Sequence, residues 1–347
     1  MGPMQGSAGS APGRKTAMTV KDIARVAEVS PMTVSRVLSG GKNVRPALRE
    51  HVERVIAEVG YHRNENARSL RPGQRSGLVG VLITNIGNPY YAGVVQGIEQ
   101  VVAATGRRIL VGTTNEDSDL ERQLLSDFLG RQVEGLVVVP VGQDGDRFSA
   151  ARLHDVPLVL ASRTVERAPA DAVLIDDVHG AREAAAIMLR EGHRRVAFLG
   201  NKVTVSTGQR RLTGFRSAFA DSGTAVDERL VVLGLQDAEA SEHAMRELLT
   251  LADPPTAVFA ANNRISVGAI RAIARAVADG SVAVPPRLFA FDSFDFADMA
   301  PIPLSVIDHD PAELGRVAAR MLLSRLDGSA ADEGARLVEL PVHIVHH

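Results

Sequence analysis

From Leu78 onward the chain alternates short apolar runs with amphipathic stretches, and that alternation restricts it to a narrow group of folds. The runs Leu78–Ile83, Ile109–Thr113, Leu136–Val139, Leu158–Leu160, Val196–Leu199, Leu230–Gly234, Val258–Ala260 and Leu288–Phe291 are nearly unbroken in apolar residues. Strands buried on both faces read this way. Between them, Tyr91–Ala104, Leu120–Gly130, Gly180–Arg190 and Ser266–Val277 carry apolar residues at helical spacing. Parallel neighbours need a long crossover, usually a helix, so the pattern predicts parallel sheets covered by helices on both faces. Eight or more such units predict two doubly wound subdomains, each with ligand loops at the carboxyl ends of its strands. Two such edges facing one another form a cleft.

The 347 residues exceed what one core usually fills, and 45% hydrophobic content is enough for several cores. Cysteine is absent, which removes disulfides, thiolate metal sites and cysteine nucleophiles, and suits a reducing compartment. No apolar run reaches membrane length. Met1–Ala17, rich in Gly, Ser, Pro and Ala, reads as a disordered leader. The net charge of -2 hides an asymmetry. Residues 1–75 hold 13 basic against 6 acidic side chains, and the remainder holds 26 against 35. A basic head on an acidic body points to a polyanionic partner for the head alone.

The head reads as three helices. Thr19 is an N-cap, and Ile23, Val26 and Ala27 put an apolar stripe on the first helix. Glu28-Val29-Ser30 breaks it, Ser30 caps and Pro31 opens a second helix to Leu38. There Val34, Val37 and Leu38 face inward, leaving Met32, Thr33, Ser35 and Arg36 outward. Two short helices around a three-residue turn match a helix-turn-helix, whose second helix lies in a DNA major groove. Hydroxyls there reach phosphates or base edges, and Arg grips guanine. A helical hairpin in a small bundle has the same spacing but more often carries Glu/Lys pairs outward. A third helix, Pro46–Val59, ends at Gly60. His62–Arg71 then has too little apolar surface to be a stable helix alone.

The stretch VKDIARVAEVSPMTVSRVLSG, the following GY and the NxxARSLR segment resemble the lac repressor (LacI/GalR) family of bacterial transcription regulators. The resemblance implies that residues 63–71 are a hinge helix ordering on DNA, with Asn64 and Arg68 in the DNA-binding segment. It also implies that Leu70 of each of two copies wedges the minor groove. Arg63 stands where the family usually has Pro, which removes a helix start signal and adds a phosphate-seeking charge.

The body resembles the same family's effector domain, of the type I periplasmic sugar-binding fold, through GLVGVLITNIGNPYYAGVVQGIE, GRQVEGLVVVP, EGHRRVAFLG, RLTGF, PTAVFAANN, FDSFDFAD and PLSVIDHDPAELG. It implies three crossings between subdomains, near Ile175, Ser305 and Asp332. It also implies effector contacts at Asn88, Tyr90, Tyr91, Ser162, Arg163, Arg211, Asn262, Asp292 and His309. The chemistry is suitable: an amide and two rings orient and stack on a sugar, Arg163 offers a planar donor fork, and Asp292 accepts from hydroxyls. Ser162 replaces the usual Asp, and His309 stands where many relatives carry Gln. Two arginines and an acid in a cleft also fit a structural ion network.

The expected organisation is a leader (1–18), an all-α helix-turn-helix domain (19–62), a hinge (63–76) and an α/β effector and dimerisation domain (77–347). The last divides into one subdomain of about 77–176 and 307–330 and another of about 177–305 and 333–347. The expected function is a cytoplasmic, nucleoid-associated repressor that acts as a homodimer on palindromic operator DNA. Its control is allosteric, by a sugar, sugar acid or sugar phosphate. Dimer contacts are expected from helices near Val94–Val102 and Val267–Ala276. No catalytic motif, metal site or cofactor is expected: no GxGxxG following a strand, Walker lysine loop, GxSxG or HExxH occurs. The alternative is a periplasmic-type solute-binding receptor of the same body fold, which calls for a signal peptide and no basic head.

Overall fold

The computed structural model describes residues 18–38, 40, 44–61, 76–330 and 333–347. It divides into two compact units, with the boundary between Gln74 and Arg75.

The first unit contains α1 (Val20–Val26), α2 (Pro31–Leu38) and α3 (Pro46–Glu58). Thr19 and Asp22 form a reciprocal capping box: Asp22 N donates to Thr19 Oγ1 at 3.3 Å and Thr19 N to Asp22 Oδ2 at 3.0 Å. The turn into α2 is sharp because Glu28 adopts a left-handed φ of 52°, while Val29 N reaches back to Ala24 O at 3.0 Å. Ser30 Oγ accepts from Thr33 N at 3.1 Å at the start of α2. Gly60, at φ 62°, closes α3 in the same way as Glu28 closes α1. Ile23, Ala24, Ala27, Val34, Val37, Val52 and Val55 form the core. Val26, assigned above to the inner stripe, is half exposed, and Ala24 takes its place. Residues 1–17 of the leader and 63–75 of the hinge, including Asn64, Arg68 and Leu70, lie outside the described residues.

The second unit contains two six-stranded sheets. In chain order the first subdomain runs β1 (Leu78–Ile83), α4 (Pro89–Ala103), β2 (Arg108–Thr113), α5 (Ser118–Gly130), β3 (Gly135–Val138), α6 (Ala150–Leu153), β4 (Leu158–Ala161) and β5 (Asp171–Ile175). The chain then crosses into α7 (Asp177–Arg190), β6 (Val196–Leu199), α8 (Ser206–Asp221), β7 (Val231–Val232), α9 (Ala238–Leu249), β8 (Ala257–Ala260), α10 (Asn263–Ala278), β9 (Arg287–Phe291) and β10 (Leu304–Asp308). It returns through α11 (Pro311–Leu326) and ends in β11 (Leu337–Leu340) and β12 (His343–His346). The sheet orders are β11-β5-β4-β3-β1-β2 and β12-β10-β9-β8-β6-β7. Every neighbouring pair is parallel except β10 with β12.

This connectivity corrects two expected boundaries. The strand β10 pairs with β9 throughout, so the second crossing falls at His309–Asp310 rather than near Ser305. The last segment is shared: β11 joins the first sheet beside β5, and β12 joins the second beside β10. The third crossing is therefore at Pro341–Val342 rather than near Asp332. Asp171 explains why β11 stays with the first subdomain, because its buried carboxylate takes hydrogen bonds from Arg325, Arg336 and Arg336 N.

Close helix pairs complete each subdomain. A Cβ on Gly97 of α4 would lie 1.9 Å from Ala312 O, and one on Gly315 of α11 would lie 2.1 Å from Val94 O. The two helices touch backbone to backbone there. Val94, Ile98 and Val102 are consequently buried inside the chain, as are Ile265, Ala269, Ala272, Ile273 and Ala276 of α10. These apolar side chains are covered within one subunit. No helix among the described residues is long and apolar enough to cross a membrane.

Candidate functional site

Between the carboxyl ends of the two sheets lies a cavity of about 420 Å³, the scale of a small-ligand site. Its wall is made of the residues that follow the strands: Asn85 after β1, Glu116 after β2, Val141 after β3, Arg163 after β4, Asn201 after β6, Asn262 after β8 and Asp292 after β9. In a doubly wound sheet this is where strand-to-helix loops converge. The N-caps Asn88, Asp237 and Asn262 stand there for the same reason, accepting from Tyr90 N, Ala240 N and Ile265 N.

The first subdomain contributes a connected polar wall. Tyr90 and Tyr91 pack edge to face, with ring centroids 5.0 Å apart. The Tyr90 hydroxyl donates to Ser162 Oγ at 3.0 Å, and Arg163 Nη2 donates to the Tyr91 hydroxyl at 3.1 Å. Burial, reinforced by Asp292, pushes the Tyr90 phenol well above its ordinary value, so it remains a neutral donor. Arg163 also grips Glu116 with both terminal nitrogens, at 2.9 and 2.8 Å. Burial opposes ionisation of Glu116, but the Arg163 hydrogen bonds prevail and hold its carboxyl below the usual range. Four wall residues other than glycine have left-handed backbones: Asn115 (φ 51°), Glu116 (φ 61°), Ser162 (φ 64°) and Asp292 (φ 65°). Such conformations cost of order 1 kcal/mol or more each and are held by the surrounding structure.

The second subdomain contributes an ion network centred on Arg211 of α8. Its Nε donates to Asp177 Oδ1 at 2.8 Å, its Nη1 to Ala261 O at 2.6 Å, and both terminal nitrogens meet Asp292 at 3.0 Å. The guanidinium also lies 3.6 Å over the Phe291 ring. Burial pushes the Asp177 carboxyl up against the pull of Arg211. Arg211 thus lines the cavity and also belongs to a structural ion network.

Of the nine effector residues expected from sequence, Asn88, Tyr90, Tyr91, Ser162, Arg163, Arg211, Asn262 and Asp292 line this one cavity. His309 does not. It is buried behind Asp292 and Tyr90, with Nε2 3.9 Å from Asp292 Oδ1 and its ring 5.6 Å from that of Tyr90. Neither ring nitrogen has a hydrogen-bond partner among the described residues. Sequence reasoning missed Glu116, Asp177 and Asn263. Glu116 follows β2, so the strand-end rule applied to the other wall residues covers it. Asp177 follows β5, a strand the apolar runs did not disclose. Asn263 joins Asn88 across the cleft and is recognisable only from that contact.

In the head, α2 leaves Met32 63% exposed and Arg36 exposed, with Thr33 and Ser35 half-buried. The Thr33 hydroxyl lies 2.9 Å from that of Ser30, which ties it to the start of the helix. Thr19 is exposed at its cap.

A helix-turn-helix unit and a solute-binding body on one chain define a ligand-responsive DNA-binding regulator. Residues 19–64 match the family described as bacterial regulatory proteins, lacI family, and residues 76–347 match the periplasmic binding proteins and sugar binding domain of LacI family. The chain belongs to the LacI family of bacterial regulatory proteins. It is similar to the ribose operon repressor of Haemophilus influenzae, at 31% identity over 89% of this chain and 92% of that protein. Among solved structures, the transcriptional regulator CelR–cellobiose complex shares 28% identity, with a TM-score of 0.69 over 95% of this chain and 99% of that one. The lac repressor dimer bound to operator and an anti-inducer has the same fold, with a TM-score of 0.80 at 23% identity over 95% and 98% of the two chains.

Proposed function

We propose that the chain is a transcriptional repressor that binds a palindromic operator as a homodimer and is controlled by a small carbohydrate-like effector in the cleft. The observation that carries this reading is the pairing of a capped helix-turn-helix with a polar cavity of ligand size in one family member. In this reading α2 enters the major groove and presents Met32, Thr33, Ser35 and Arg36 to base edges and phosphates, with Thr19 at the backbone. Asn64, Arg68 and Leu70 form the hinge contacts. Asn88, Tyr90, Tyr91, Ser162, Arg163, Arg211, Asn262 and Asp292 hold the effector, and His309 supports them from behind. The relatives are a ribose operon repressor and a regulator solved with cellobiose, which supports a sugar-like effector here. The cleft binds and does not catalyse, as befits a family of regulators, and the protein works in the cytoplasm on the nucleoid.

Such a ligand controls DNA binding only by its differential affinity for two arrangements of the body, typically about 1–3 kcal/mol. The test is a salt titration of binding to random and to palindromic DNA, with and without a panel of sugars. A steep loss of affinity with salt, a strong preference for one palindrome and a shift on adding one sugar are expected. Equal affinity for palindromic and random DNA would sink the repressor reading.

A further inference from the structure

We infer that the cleft selects an uncharged polyhydroxylated ligand over carboxylated or phosphorylated ones, and that Glu116 sets this preference by occupying Arg163. The inference rests on the effector-site reading above and narrows it.

An anion entering this cavity needs a cation free to receive it. Neither buried arginine is free. Arg163, 6% exposed, spends both terminal nitrogens on Glu116 and one of them also on Tyr91. Arg211, 4% exposed, is paired with Asp292 at both terminal nitrogens and with Asp177 at Nε. The other cations of the wall, Lys202 and Arg264, are exposed, where water screens them. Among the described residues, four cations line the cavity against Glu116, Asp237 and Asp292, and both buried cations are already paired with carboxylates. A ligand anion that reaches either buried arginine must therefore displace a carboxylate already in place or sit beside it, and like charges repel.

The rest of the wall suits hydroxyl groups. Five asparagines line it, Asn85, Asn88, Asn115, Asn201 and Asn262, each able to donate and accept. The Glu116 carboxylate is 44% exposed, so beyond its pair with Arg163 it has surface left to accept from a ligand hydroxyl. Two consecutive left-handed residues, Asn115 and Glu116, aim that carboxylate at Arg163. Nothing in the motifs that disclosed the other wall residues assigns Glu116 a role.

The test is isothermal titration calorimetry on the full chain with D-ribose, D-glucose, D-galactose and cellobiose, each against its aldonic acid and its phosphate ester. At least one neutral sugar is expected to bind about tenfold or more tightly than either charged counterpart. An acid or phosphate that binds more tightly than its parent sugar overturns the inference and leaves the sugar-site reading standing. Binding by no member of the panel overturns both. Glu116→Gln keeps the shape and removes the charge, so it is expected to weaken the preferred neutral sugar roughly tenfold and to raise affinity for the matching aldonic acid. Glu116→Asp, too short to span Arg163, is expected to move selectivity the same way. Unchanged selectivity in both variants removes Glu116 from this role.

Discussion

Asn88 and Asn263 exchange side-chain amide hydrogen bonds across the cleft, Asn88 Nδ2 donating to Asn263 Oδ1 at 3.3 Å and Asn263 Nδ2 to Asn88 Oδ1 at 2.8 Å. Asn88 caps α4 in one subdomain, and Asn263 opens α10 in the other. Any widening of the cleft breaks both bonds together. Asn263→Ala is expected to cost about 1 kcal/mol, and Asn88→Ala somewhat more because it also removes a helix cap. The double variant should cost less than the sum by roughly 1 kcal/mol. Urea denaturation of the four proteins measures the coupling, and strict additivity would show that the pair contributes nothing.

Arg211 is the only cation placed to balance Asp292 at hydrogen-bond distance among the described residues, and it shares Asp177 with Arg210. Removing it leaves the buried Asp292 carboxylate uncompensated and Asp177 with Arg210 alone. Arg211→Ala should destabilise the body by about 3–5 kcal/mol, and Arg211→Lys should recover only part because it cannot span both acids. A loss below about 1 kcal/mol in chemical denaturation would contradict the network described here.

His309 gives the body a pH dependence of definite sign. Burial, the largest influence, outweighs the nearby carboxylates and pulls its folded pKa below the ordinary value. The unfolded chain therefore binds a proton more readily than the folded one. The stability contributed by the neutral ring is fully present above the unfolded pKa of about 6.5 and is lost as pH falls toward the folded value. Melting temperatures from pH 7.5 down to 5 should fall for the wild type more steeply than for His309→Gln. Parallel curves would assign that loss to other groups.

Arg36, exposed on α2, should be an affinity and specificity determinant at once. Arg36→Ala is expected to weaken operator binding by roughly 1–3 kcal/mol and random-sequence DNA by less. Equal losses on both DNAs would make it a phosphate contact, and the salt slope would then drop by about one unit.

Much of the site was legible through the family resemblance, and the repeating pattern gives the physical reason. Once β1, β4, β8 and β9 are recognised as buried parallel strands, the residues just after them must meet at one edge, which brings Asn88, Arg163, Asn262 and Asp292 together. His309 follows β10 and obeys the same rule along the chain, yet its ring turns behind Asp292, because the chain there is leaving one subdomain for the other. Asp177 was hidden because it does not line the cavity but pairs with Arg211 from behind it, a contact made only in three dimensions. The apolar faces of the expected dimer helices show the same limit. An apolar helix face announces that it will be covered, and α11 and α9 cover these two from within the chain.

The sequence by itself determined the two-unit organisation, the helix-turn-helix with its caps, and the alternation of strand and helix that creates a cleft. These are properties of neighbouring residues: caps act over three positions, and apolar periodicity over ten or so. The tertiary structure alone decided the division of the last strands between sheets and the pairing of each cleft arginine. Arg163 meets Glu116 from 47 residues away, and Arg211 meets Asp177 and Asp292 from 34 and 81. A charge in a sequence carries no record of its partner, because Coulombic and hydrogen-bond energies depend on distance and burial that exist only after the two sheets have come together.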